Sequence, residues 1–116
     1  MKLSFHKNSL RLRLTQSEVA RLATHGSIDD LIEFPADQTL SFSVESGESN
    51  AAIFEKNDIR IIAPRAEVQR WIESDQEGLE FQSGPLKVMI EKDFQCLHKS
   101  TPEDADAFPN PMVDKF

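Results

Sequence analysis

Apolar and polar residues alternate along much of the chain, and this pattern is typical of β-strands with one buried face. The clearest stretch is 9–14, where Leu10, Leu12 and Leu14 alternate with a serine and two arginines. Turn-forming residues such as Asn, Gly and Pro separate most of these stretches. The predicted strands are 2–6, 9–14, 28–34, 39–45, 51–56, 58–63, 78–82 and 85–91.

Two stretches follow the longer period of an amphipathic helix. Thr15 and Glu18 form the capping-box pattern that begins the first helix, and Gly26 is its predicted end. Pro64 opens the second helix at a position where its missing N–H does no harm. The residues predicted to face the core are Val19, Leu22 and Ala23 in the first helix and Val68, Trp71 and Ile72 in the second.

The chain contains an internal repeat. Residues 5–23 recur at 54–72 without a gap, and the nineteen aligned positions contain seven identities. A small deletion then matches residues 32–34 with 79–81. A self-match at a fixed offset indicates one supersecondary unit used twice. The two predicted copies of a ββαββ unit are residues 1–46 and 50–92.

These elements predict an α+β domain with about eight mostly antiparallel strands and two helices. Two separate units would leave exposed sheet edges, which pairing about a pseudo-twofold axis removes. We therefore expect a single domain, residues 1–116, in which the duplicated unit forms a barrel. An open, strongly curved sheet with both helices on one face is the alternative. Residues 93–116 have no counterpart in the first copy and are predicted to pack on the domain as a C-terminal tail.

Composition changes this picture by excluding classes of protein. With 39% hydrophobic and 28% charged residues, the chain is typical of a globular domain. The formal charge of −7 disfavours nucleic acids and anionic membrane surfaces as partners. No apolar run is long enough to span a bilayer, and no N-terminal signal core is visible. The lone cysteine, Cys96, fits a reducing compartment, so we expect a cytoplasmic protein.

The tail contains a candidate metal site. Cys96 and His98 lie two residues apart, and acidic residues follow at Asp104 and Asp106. Thiolate, imidazole and carboxylate together suit zinc or another divalent metal. The alternative is that Cys96 is a small buried hydrophobe and that aromatic residues pack the tail against the sheet. We prefer the structural interpretation because a single Cys-x-His pair lacks the second paired motif of most zinc sites.

Motifs at both ends carry a resemblance to a known family. The opening KNSLRLRLTQSEV and the closing EKDFQCLH and DADAFPNP resemble a family of small uncharacterised bacterial proteins, a domain of unknown function. The resemblance covers essentially the whole chain. It implies a bacterial protein, but it implies no activity, substrate or catalytic residue, because none is assigned to the family.

Basic residues provide a candidate binding site. Arg11 and Arg60 occupy equivalent positions in the two copies and lie opposite the apolar rows of their strands. With Arg13 and Lys87 they could surround a cavity that accepts an anion. The alternative needs no ligand, since arginines on the solvent face of a strand also pair with glutamates on neighbouring strands. The candidate glutamates are Glu33, Glu45, Glu80 and Glu91.

Catalytic motifs are missing from the sequence, which has no phosphate-binding glycine loop and no nucleophile elbow. A barrel would invite comparison with triphosphate tunnel enzymes, but their first strand carries alternating glutamates and here it reads KLSFH. We therefore predict a non-enzymatic binding or interaction module without a cofactor, either a monomer or a small homo-oligomer, whose partner is a small anion or a protein. The alternative is a small metal-dependent enzyme or metal-binding protein with its site in the tail, at Cys96, His98, Asp104 and Asp106.

Overall fold

The structure is a computed structural model that describes residues 1–94, which form eight strands and two helices. The elements are β1 (Lys2–His6), β2 (Ser9–Leu14), α1 (Gln16–His25), β3 (Ser27–Phe34), β4 (Gln38–Gly47), β5 (Ala51–Glu55), β6 (Asp58–Pro64), α2 (Arg65–Glu73), β7 (Gly78–Ser83) and β8 (Leu86–Lys92). All the predicted strands occur, with bounds that differ by at most two residues. The order strand, strand, helix, strand, strand occurs twice.

The strands form two four-stranded sheets. Sheet I has the order β1-β2-β8-β7, and sheet II has the order β3-β4-β6-β5. Each sheet therefore combines one hairpin from the first half of the chain with one from the second. The strands within every hairpin are antiparallel, whereas the central pairs, β2 with β8 and β4 with β6, are parallel.

The predicted barrel is wrong, and so is the alternative of one open sheet. Only the inner strand of each hairpin pairs with another hairpin, so β1, β7, β3 and β5 are sheet edges within residues 1–94. A barrel would require these edge strands to pair between the sheets. Closure is not needed to bury apolar surface, because each sheet has one apolar face that can pack against helices and the other sheet.

One hydrophobic core joins both sheets and both helices. Its buried residues are Leu10, Leu12, Leu14, Leu22, Ile28, Phe42, Val44, Ile61, Ala63, Val68, Trp71, Val88 and Ile90. Trp71 is fully buried, as the helix pattern predicts, and its Nε1 donates to the backbone oxygen of Glu77 at 3.0 Å. Ala23 is exposed, contrary to the prediction, because α1 turns only a narrow stripe around Leu22 toward the core.

The helix ends follow from local sequence. Thr15 and Glu18 form the predicted capping box, and the Glu18 carboxylate also contacts the α-amino group of Met1. Partial burial acts to raise the pKa of Glu18, but hydrogen bonds from that amino group and from Thr15 outweigh it, so the pKa lies below its ordinary value. Gly26 ends α1 with a φ of 79°, a left-handed conformation that glycine adopts readily. Pro64 lies at the N-cap rather than in the first turn, because β6 continues through it.

A two-residue turn joins β1 to β2, as the predicted strand bounds imply, and a second one joins β5 to β6, where the predicted bounds leave only Asn57. In the second turn Lys56 and Asn57 both have positive φ, the conformation that tight hairpins favour. In the first turn only Lys7 does. Asn8 instead donates a side-chain hydrogen bond to the backbone oxygen of Pro85 at 2.6 Å, which ties this turn to the β7–β8 turn.

The two sheets have corresponding registers at their centres. Leu10 lies opposite Val88 in sheet I, and Ile59 lies opposite Phe42 in sheet II. In the sequence repeat Leu10 matches Ile59 and Val88 matches Phe42. The central pair of each sheet therefore uses equivalent residues.

The β3–β4 and β7–β8 hairpins do not correspond as the sequence match of 32–34 with 79–81 predicts. Ile32 pairs with Leu40, whereas Leu79 pairs with Ile90, four residues beyond the match of Leu40. By register, the residue of β3 that corresponds to Leu79 is Ile28. The match fails because the β3–β4 hairpin extends two pairs further, and because a longer connection precedes β7.

Candidate functional site

The candidate site lies on the side of sheet I that faces away from the core. Alternation along β2 places Arg11 and Arg13 on this side while the leucines are buried. The parallel pairing of β2 with β8 brings Lys87 opposite Ser9, two positions along β2 from Arg11 and on the same side of the sheet. We call this surface the basic face, and its cations are Lys2, Arg11, Arg13 and Lys87.

A partly open depression of about 210 Å³ lies in the basic face. Its lining residues are Ser4, His6, Ser9, Arg11, Lys87 and Met89. Every lining side chain among residues 1–94 except that of Met89 can donate a hydrogen bond, and within this range none is a carboxylate. Pockets for drug-sized molecules have volumes of roughly 300–1,000 Å³. The depression is therefore suited to a small anion.

Carboxylates border the depression without lining it. Arg11 Nε lies 3.1 Å from Glu91 Oε1, and Arg13 Nε lies 3.5 Å from the same oxygen. Lys87 Nζ lies 3.6 Å from Glu80 Oε2. These are contacts that the ligand-free interpretation predicts. Because partly exposed ion pairs contribute only about 0–1 kcal/mol each, an anion with better hydrogen-bond geometry can compete with them.

Arg60 does not join the other three predicted cations. It lies on β6 in sheet II, where its Nη2 donates to a carboxylate oxygen of Glu45. The hydrogen bond to Glu45 raises the pKa of Arg60. The predicted set is therefore divided, with Arg11, Arg13 and Lys87 on the basic face and Arg60 on the other sheet.

The corresponding surface of sheet II has the opposite charge. Glu55 and Asp58 occupy the positions that correspond to His6 and Ser9. Within the described part of the chain, the charged residues of this surface are Arg60 and the acids Asp29, Glu33, Glu45, Glu55 and Asp58. A basic depression is therefore a feature of sheet I and not of the repeated topology.

Ser4, His6 and Ser9 are not among the site residues predicted from the sequence. Alternation along β1 and β2 is the available signal, since it places them on the same side of sheet I as Arg11. The contribution of Lys87 depends on the parallel pairing of β2 with β8, which joins distant parts of the chain. Local sequence patterns do not determine that pairing.

The predicted metal ligands, Cys96, His98, Asp104 and Asp106, lie outside the described residues, as does almost all of the predicted tail. Among residues 1–94, no three or more His, Cys, Asp or Glu side chains are grouped so that they could hold a metal ion. Neither of the two helices in this range is long and apolar enough to cross a membrane.

Comparison with protein families gives a match over nearly the whole chain. The matching family is described as "Family of unknown function (DUF7009)", and its sequence model matches residues 1–112. This match confirms the resemblance to a domain of unknown function. No curated protein and no solved structure matches the chain.

Proposed function

We propose that this chain, which belongs to the DUF7009 family, is a non-enzymatic binding module. In this proposal the basic face of sheet I accepts a small anion. The observation that carries the proposal is the lining of the depression, to which the described part of the chain contributes Arg11, Lys87 and two serine hydroxyls but no carboxylate. The equivalent surface of sheet II bears Glu55 and Asp58 instead. Anion binding is thus specific to one of two similar sheets.

Arg11 is the principal ligand in this proposal. Its side chain is only 24% exposed, and Met89 Sδ accepts a hydrogen bond from its Nη2 at 3.6 Å. Contacts to Met89 and Glu91 hold the guanidinium in place, so little side-chain entropy is lost when an anion binds. A guanidinium can donate two parallel hydrogen bonds to an oxyanion, and Lys87 adds a point charge.

Anion binding must exchange existing contacts for new ones. A hydrogen bond to a charged group contributes about 1.5–3 kcal/mol, whereas the exposed pair of Lys87 with Glu80 contributes about 0–1 kcal/mol. The contact of Arg11 with Glu91 involves Nε and can be retained, because a guanidinium has five N–H donors. Ser9 Oγ donates to the backbone oxygen of His6 at 2.6 Å, so its hydroxyl must rotate to donate to a ligand. The exchange is favourable for an oxyanion that engages Arg11 and Lys87 together.

We further infer that the two halves of the chain are copies of one ββαββ unit that diverged in charge. The inference is supported by the seven identities in the repeat and by the equivalent central registers. A matching ion pair adds to it, because Arg11 contacts Glu91 in sheet I and Arg60 contacts Glu45 in sheet II. In this inference the two sheets, each built from one hairpin of each copy, then diverged in charge, and sheet I became the anion-binding one. A bacterial cytoplasmic location is consistent with the resemblance and with the lone cysteine.

The test is a titration of the full chain with inorganic phosphate and with sulfate at low salt. Binding is monitored by amide chemical shifts and by calorimetry. We expect shifts around Ser4, Ser9 and Lys87, and we expect Arg11→Ala to weaken binding by at least about tenfold, the loss of one charged hydrogen bond. Arg60→Ala is the matched control, since it removes an equivalent arginine with an equivalent glutamate partner. It should leave the affinity unchanged.

Two results would contradict the proposal. One is that neither anion shifts the amide signals of the basic face at any concentration. The other is that Arg11→Ala and Arg60→Ala weaken binding equally, because this would indicate a response to net charge and not a site.

A further inference from the structure

Sheet II carries an apolar surface beyond the core. Its residues lie on the core-facing side of the sheet, near the free end of the β3–β4 hairpin: Ile32, Phe34, Leu40, Phe54 and Ile59. Three of them are largely exposed, with Ile32 at 43%, Phe34 at 51% and Phe54 at 68% of their maximum area. We call these five residues the distal apolar surface. Contiguous exposed apolar residues of this kind usually mark a binding site.

Among the described residues, sheet I has no comparable surface, although it exposes Phe5, the repeat equivalent of Phe54. By register, the position of Ile32 is taken in sheet I by Ser83. Phe34 has no counterpart there, because β7 ends at Ser83 and the chain turns back into β8. The distal apolar surface therefore results from the longer β3–β4 hairpin.

The described part of the chain ends close to this surface. Asp93 is hydrogen-bonded to the backbone of Leu14 at 2.8 Å and pairs with Lys2 at 3.2 Å. The amino group of Met1, the residue that precedes Lys2, lies 3.6 Å from the carboxylate of Asp30. Asp30 is on the same side of β3 as Ile32, two positions away. The chain therefore leaves sheet I beside the strand that carries the surface.

The sequence that follows contains a suitable occupant. After Phe94, 22 residues remain, which at roughly 3.3 Å per residue can reach about 70 Å. They include the segment Phe108–Met112, which reads FPNPM. Its two prolines restrict the backbone, which lowers the entropy lost on binding, and proline-containing segments commonly bind aromatic surfaces.

We propose that the distal apolar surface binds the segment Phe108–Met112 of the same chain, and that this contact fixes the tail on the domain. Attachment within one chain favours this occupant, because a short linker gives an effective concentration of the order of millimolar. The same segment from a second copy, and a second copy of the surface itself, are the competing occupants. The proposal does not depend on anion binding, which involves the outer side of the other sheet.

A nitroxide spin label can test the contact in the full chain. Asn110→Cys in a Cys96→Ser background places one thiol in the segment for labelling. We expect paramagnetic broadening of the amide signals of residues 31–34 and 53–59, and little broadening at Ser4, Arg11 and Lys87. Phe34→Asp should abolish this broadening. Phe5→Asp is the matched control, because it changes another exposed phenylalanine, on sheet I, and it should leave the broadening intact.

A mixture of unlabelled ¹⁵N protein with spin-labelled ¹⁴N protein distinguishes the competing occupants. Broadening in the mixture equal to that within one chain would overturn the proposal in favour of exchange between two copies. Absence of broadening at residues 31–34 in the labelled protein would also overturn the proposal, since the segment would then not lie on the distal apolar surface.

Discussion

Replacing Trp71 tests the central packing of the fold. The side chain is fully buried, with 0% of its area accessible to water. An aromatic residue buries about 150–250 Å², which at about 25 cal/mol per Å² corresponds to about 4–6 kcal/mol as an upper bound. Measured costs of comparable truncations are about 3–5 kcal/mol. Trp71→Ala should therefore remove a large part of the roughly 5–15 kcal/mol that stabilises a domain.

Trp71→Phe separates the hydrogen bond from the packing. The oxygen of Glu77 that accepts from Trp71 also accepts from the backbone nitrogen of Lys92 at 2.9 Å. Because the acceptor keeps this second donor, loss of the indole N–H leaves no unsatisfied buried group. We expect a cost of about 1–2 kcal/mol for Trp71→Phe, made up of one hydrogen bond and a small cavity.

Urea titrations monitored by far-ultraviolet circular dichroism measure the free energy of unfolding of both variants without relying on tryptophan fluorescence. Gln69→Ala, an exposed change on the same helix, is the control and should stay within about 0.5 kcal/mol of the wild type. A loss below about 1 kcal/mol for Trp71→Ala would refute the assignment of this residue to the core. Equal losses for the Ala and Phe variants would show that the hydrogen bond, and not the packing, dominates.

Two further predictions concern charge and metal. Glu18→Gln should destabilise the protein by about 0.5–1 kcal/mol at pH 7, since it weakens the contacts to Thr15 and the amino terminus. Because the folded state lowers the pKa of Glu18 from its ordinary value of 4.5, this contribution is present above that pH and is lost as the pH falls through the lowered value; a difference that persists in urea titrations at pH 2 would contradict it. For the tail, a chelator should leave the unfolding midpoint unchanged, and Cys96→Ser should cost only a modest amount. One equivalent of tightly held zinc in the purified protein, lost in both Cys96→Ser and His98→Ala, would instead favour the metal-binding alternative.

Local sequence determined the elements of this protein. The alternation at Leu10, Leu12 and Leu14 identifies a strand with one buried face, because side chains of a strand point to opposite sides in turn. Thr15 and Gly26 specify the ends of α1 through contacts within one helical turn. The burial of Trp71 follows in the same way from helical spacing. Each of these features depends on residues a few positions apart.

Tertiary structure alone decided how the hairpins are combined. The edge of a hairpin offers the same backbone donors and acceptors to any partner, so the alternation pattern is equally compatible with a barrel and with two sheets. The choice depends on which arrangement packs the apolar faces around the common core. That choice places Lys87 beside Arg11 and leaves Arg60 on the other sheet. The extra length of the β3–β4 hairpin, which exposes Phe34, is likewise visible only in the pairing register, because a repeat match in sequence does not specify which residues lie opposite one another.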